Sequence, residues 1–114
     1  MVDSSVRGGW TEGEGYYTVD EQGFVTHHES SIIPYAKAVV IHSGWTETDK
    51  IGLEQAVGET YWEDTYHYTR ARMEGPLDLV VKDSGRQWGY DYTYAESGFA
   101  DPIFVARTYY GSEM

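Results

Sequence analysis

The chain has no cysteine and no asparagine, only three lysines and three prolines, and no unbroken apolar stretch long enough to span a bilayer. Without cysteine, disulfides, thiol nucleophiles and thiolate metal sites are excluded. The apolar runs are too short for a membrane helix, which takes about 18 consecutive apolar residues. The opening stretch MVDSSVRGGWTEGEGYY carries one arginine and no hydrophobic segment. It reads as neither a signal nor a transit peptide, so synthesis in the cytosol is expected, with incorporation into a virus particle as one destination. Positive charge is also scarce: 8 Lys plus Arg stand against 19 Asp plus Glu, a formal net charge of −11. Such a surface repels phosphate backbones and anionic lipid, which argues against nucleic-acid and membrane partners.

Catalytic signatures are missing as well. Ser43 follows His42, but neighbours on a strand point to opposite faces, and no Gly-x-Ser-x-Gly elbow or phosphate loop occurs. His27 and His28 point apart on a strand, leaving His27 and Glu29 as the same-face pair of that cluster. His42 and His67 have no ligand spacing around them, so no zinc or iron site is expected. Glu59 and Glu63 beside Trp62 are carboxylates in an aromatic setting, with nothing in their spacing to pair them as acid and base. The expectation is a non-enzyme without metal or cofactor.

What the chain does have is size and aromatic content. Its 114 residues make one domain, 40% hydrophobic and 16% aromatic, with eleven Tyr and four Trp. Turn signals recur between short β-branched runs. In YYTVDEQGFVTHH, a loop at Glu21-Gln22-Gly23 pairs Val19 with Val25, Tyr17 with His27 and Thr18 with Thr26, with Gly23 in the left-handed region. In LDLVVKDSGRQWGYDY, a two-residue Ser84-Gly85 loop sets Asp83 opposite Arg86, Val81 opposite Trp88 and Leu79 opposite Tyr90, gathering the apolar residues on one buried face. Further strands are expected at 36–42, 59–73 and 103–110. The stretch 46–58 has a cap-like Thr46 and Asp49, but Gly52 disfavours a helix and Ile51, Leu53 and Val57 share strand parity, so strand is preferred. No internal repeat is evident. The expected fold is all-β: a small antiparallel β-barrel or β-sandwich of six to eight strands joined by short hairpins. Residues 1–15 are expected as a flexible or docking N-terminal arm, and 16–112 as a single β domain.

Two aromatic stripes carry the positive signal: Trp88, Tyr90, Tyr92 and Tyr94, and, at matching parity, Trp62, Tyr66 and Tyr68. Trp88 and Tyr90 read as core. Two successive tyrosine hydroxyls are hard to satisfy in a small core, so Tyr92 and Tyr94 are expected at a rim, where tyrosine favours protein contacts. Trp10, Tyr92, Tyr94, Tyr109 and Tyr110 are therefore the candidate protein-contact residues. The function expected is structural: a non-catalytic assembly protein forming a homo-oligomer or larger assembly, such as a phage or virus particle component. The alternatives are an acidic inhibitor or immunity protein binding a basic partner, and a small-ligand-binding β-barrel.

Overall fold

The structure, a computed structural model, describes residues 7–20, 22–29, 32–35 and 38–113. Residues 1–6 of the expected arm, Glu21 of the first loop, and Ala36 and Lys37 of the expected third strand lie outside the described residues. Those described form nine β-strands: β1 (Arg7–Thr11), β2 (Gly15–Val19), β3 (Val25–His28), β4 (Ile32–Tyr35), β5 (Ala38–Thr48), β6 (Glu54–Glu74), β7 (Val80–Asp83), β8 (Gln87–Glu96) and β9 (Val105–Gly111). All pairings are antiparallel. One curled sheet runs in the order β3-β2-β1-β9-β6-β5-β4, with β7 and β8 on the free side of β6, and closes partway into a half-barrel. The all-β expectation therefore holds, and so does strand across most of 46–58.

The 21-residue β6 organises everything else. Its first half pairs with β5 and its second half with β9, while β8 and then β7 follow its other side. Residues 63–65 face nothing on β8, because the register jumps from Trp62↔Asp91 to Tyr66↔Tyr90. Asp64 takes φ 56°, and its N–H donates to Asp91 Oδ1 at 2.8 Å. Three extra residues are an odd number, so the bulge flips side-chain parity along the strand. Before it Ala56, Gly58, Thr60 and Trp62 face inward; after it His67, Thr69, Ala71 and Met73 do. Trp62 therefore does not share a face with Tyr66 and Tyr68.

The first hairpin has the expected register, Val19↔Val25, Thr18↔Thr26 and Tyr17↔His27, with Gly23 at φ 89°. The β5–β6 turn repeats its chemistry. Asp20 Oδ1 accepts from the N–H groups of Gln22 and Phe24, and Asp49 Oδ1 accepts from those of Ile51 and Leu53. Each turn places a left-handed glycine, Gly23 or Gly52, three residues after the aspartate. Aspartate side chains mimic a backbone turn in this way.

The Ser84-Gly85 hairpin is not formed. β7 and β8 do not pair with each other; both run along β6, and the reversal lies between β6 and β7, around the 3₁₀ turn Pro76–Asp78. Ser84-Gly85 instead makes a bulge between two collinear strands. Ser84 N–H donates to Ala71 O at 2.9 Å, and Ser84 Oγ accepts from Ala71 N–H at 2.9 Å. Ser97-Gly98 repeats this at the other end of β8: Ser97 N–H donates to Ala56 O, and Ser97 Oγ accepts from Ala56 N–H. In both cases the serine hydroxyl substitutes for a missing ladder carbonyl and the next glycine supplies the positive φ, 71° at Gly85 and 97° at Gly98.

Part of the expected arm, 1–15, is strand. From Arg7 to Thr11 it forms β1, which pairs on both sides, with β2 and with β9. Its glycines are what place it inside the sheet: a Cβ on Gly8 would stand 2.7 Å from the Tyr110 hydroxyl, and one on Gly9 would stand 2.8 Å from the Tyr17 hydroxyl. Aromatic rings from neighbouring strands thus cover the glycine backbone.

Inside, the core divides into two zones. One is small and apolar: Ala56, Ala71, Met73, Ala95 and Ala106, with Trp10, Val81, Ala100 and Phe104 packed against them. The other is polar and fully paired. His42 Nδ1 meets Thr60 Oγ1 at 2.8 Å, and His42 Nε2 meets Thr108 Oγ1 at 2.7 Å. Thr60 Oγ1 meets Thr69 Oγ1 at 2.7 Å, and Thr69 Oγ1 meets Thr93 Oγ1 at 2.6 Å. This chain of hydrogen bonds joins β9, β5, β6 and β8 through the interior. Burial pushes the His42 imidazole down to about 3, so it is neutral and presents one donor and one acceptor.

Candidate functional site

Apart from the buried Trp62, Tyr68 and Tyr110, the aromatic residues of β6, β8 and β9 lie outside or half-buried. Trp88, Tyr90, Tyr92 and Tyr94 do share one face of β8, but it is the outer face; Gly89, Thr93 and Ala95 point inward. Trp88 is half-buried, Tyr90 is 66% exposed and Leu79 is exposed, so the buried apolar face expected of them does not exist. Tyr66 stacks on Trp88 with ring centroids 5.0 Å apart, Tyr90 leans on Tyr66 at 5.1 Å, and Tyr61 contacts Tyr92 at 4.7 Å. Such ring pairs add roughly 0.5–1.5 kcal/mol beyond their area burial.

Tyr92 and Tyr94 occupy the exposed positions expected of them, at 43% and 39% exposure. Their hydroxyls donate to Glu59 at 3.1 Å and Glu96 at 2.8 Å. Desolvation and then the Glu96 carboxylate push Tyr94 up to about 12, so both phenols stay protonated and fixed as donors. Glu59 is thereby tied to a tyrosine on the outer face and is turned away from the inward-facing Trp62. The remaining contact candidates lie elsewhere. Tyr110 is 1% exposed, with its ring 4.8 Å from that of His42, and so it belongs to the core. Trp10 is half-buried against Gly44 and the alanine zone. Tyr109 is half-buried and donates its hydroxyl to Glu74.

Next to the tyrosines the outer face changes character. All five arginines of the chain gather where β6, β9 and β1 lie side by side. Arg7, Arg70, Arg72 and Arg86 line a cleft of about 230 Å³ with Tyr68, Tyr109 and Glu113, and Arg107 pairs across the sheet with Arg72. Asp83 takes Arg70 in a two-pronged bond at 2.9 and 2.6 Å and reaches Arg72 at 3.3 Å. The Arg70 guanidinium holds the Asp83 carboxyl well below the usual carboxylate range. Arg86 lies over the Tyr68 ring, 4.3 Å from its centroid, and pairs with Glu113 at 3.0 Å. Tyr68 also donates to Glu113. Of these arginines the sequence singled out only Arg86, set opposite Asp83, whereas Asp83 pairs with Arg70 and Arg72 and Arg86 with Glu113; Arg70 and Arg72 alternate in TRARM and so must share a face of any strand.

No protein family model, curated protein or solved structure matches this chain.

Proposed function

We propose that this chain is a non-catalytic protein that works by contact with other protein chains, through the open edge of β8 and the tyrosines beside it, with a second copy of itself as the partner. The observation that carries this is the edge. Among the described residues the ten-residue β8 pairs only with β6, so one row of its backbone N–H and C=O groups has no strand beside it. Such an edge is a template for another strand. Tyr90, Tyr92 and Tyr94 stand along it and supply stiff, amphipathic area with few rotamers to lose. A two-fold axis through β8 would set the same strand of two copies antiparallel, each tyrosine row against the other. A particle built from repeated copies is a setting in which such a contact recurs.

Asp91, Glu59 and Glu96 flank the tyrosines, and each copy carries a net charge of −11, so copies repel at low ionic strength. Screening shortens from about 10 Å at 0.1 M salt to about 3 Å at 1 M. Sedimentation of the full chain should therefore show a monomer–dimer equilibrium that shifts toward dimer as salt rises, and Tyr90→Ala with Tyr92→Ala should return it to monomer. A chain that stays monomeric throughout, or a double variant that dimerises as well as the parent, defeats this reading. A one-to-one complex with a basic protein that dissolves in salt would put the acidic-inhibitor reading in its place.

A further inference from the structure

In an acidic chain, five arginines on one patch need an explanation. A structural clamp is one: Asp83 ties β7 to β6 through Arg70 and Arg72, and Glu113 ties the C-terminal segment down through Arg86. The clamp, however, leaves donors over. Arg72 Nε and Arg107 Nε are buried and make no hydrogen bond. Arg107 Nε stands 3.8 Å from Glu74 Oε1, close enough to attract it and too far to bond. With 19 carboxylates in the sequence, supply is not the limit. Buried donors without acceptors are costly and mark places where an acceptor belongs.

We infer that the arginine cleft is a binding site for a small phosphate-bearing ligand, and that Glu113 is the internal carboxylate such a ligand displaces. Charge fits: the lining sets four guanidinium groups against the single carboxylate of Glu113, and a phosphate monoester carries about −1.5 to −2 at neutral pH. Shape fits as well. Guanidinium forks match phosphate oxygens two at a time. The cleft, at about 230 Å³, has room for a phosphate with a small organic group. Tyr109, half-buried at the cleft, gives such a group a ring to lie against, while the Tyr68 ring is already covered by Arg86. Glu113 already behaves as a ligand would: its Oε2 accepts from Tyr68 at 2.8 Å and Arg86 at 3.0 Å, while its Oε1 is buried without a partner. It sits two residues past the end of β9, outside the strand pairing, so its release breaks no ladder hydrogen bond.

The test is calorimetric titration of the full chain with inorganic phosphate and with phenyl phosphate in low-salt chloride buffer. The wild type should bind both saturably at one site, and phenyl phosphate more tightly. Glu113→Gln keeps the size of the side chain and removes its charge, so it should bind more tightly than the wild type. Arg72→Ala should bind about tenfold more weakly, the factor corresponding to about 1.4 kcal/mol, with an unchanged circular dichroism spectrum. If Arg72→Ala does not fold, Glu113→Gln decides alone: tighter binding supports the site, and unchanged or weaker binding overturns it. Absence of saturable binding in both the wild type and Glu113→Gln, or full affinity in a folded Arg72→Ala, also overturns it.

Discussion

Acidification from pH 6.5 toward 3 should unfold this protein progressively, and a His42→Gln variant should lose most of that sensitivity. His42 is fully buried, with both ring nitrogens bonded to threonine hydroxyls. Burial lowers its pKa from 6.5 to about 3, against a smaller opposing effect of the Glu59 backbone. Between those two values the unfolded chain binds a proton that the folded one refuses, so stability falls as pH falls through the window. One proton corresponds to about 1.4 kcal/mol per pH unit, so the whole window amounts to roughly 4–5 kcal/mol, comparable to the lower range of total domain stability. Glutamine keeps one donor and one acceptor and does not titrate. Asp83 contributes with the same sign, but only below its ordinary value of 3.8, because Arg70 holds it down in the folded state. Urea midpoints measured at intervals from pH 7 to 3 would show this, and equal slopes for parent and variant would refute it.

Gly44→Val should be of similar consequence at neutral pH. A Cβ at Gly44 would stand 2.6 Å from Trp10 Cε3 and 2.7 Å from Thr108 Oγ1, inside the space of a rigid ring and of a hydroxyl that His42 uses. Overpacking costs about 1–3 kcal/mol, and a buried hydroxyl deprived of its partner costs about as much again. The sum, about 4 kcal/mol, should appear as a large drop in the denaturant midpoint. Gly13→Ala is the control: it has positive φ but open space around it, and should cost only about 1–2 kcal/mol of backbone strain. Equal losses at the two sites would mean that contact with Trp10 and Thr108 is not what requires glycine at 44.

The alternation of the strands was legible in the sequence, and so was the first hairpin, because Asp20 and Gly23 fix a turn whose geometry is local. The aromatic stripe was legible as a stripe, since period two needs only neighbours. Which side it faced was not, because that depends on what fills the interior, and here threonines, alanines and histidines fill it together with Met73, Trp62 and Tyr110. Ser84-Gly85 misled because a left-handed glycine serves a bulge as well as a reversal, and the difference lies in a partner, Ala71, thirteen residues away. Ser97-Gly98 was the available clue, as a second copy of the same dipeptide at the far end of the same strand. The arginine cleft is assembled from β1, β6 and β9 together with the residues flanking β8, so only Arg70 and Arg72 could have been grouped in advance. Tyr110 and Trp10 passed for surface residues because nothing local shows that Gly8 and Gly44 make room for rings.

The three unpaired residues at 63–65 make β6 behave like a text read in twos. An insertion or deletion of two residues there would leave His67, Thr69, Ala71 and Met73 in phase with the interior. A change of one would turn them all outward and drive Tyr66, Tyr68, Arg70 and Arg72 into the core. Among variants of this chain, length at this point should therefore be quantised in pairs, a frame kept by the sheet in the way a coding frame is kept by the triplet.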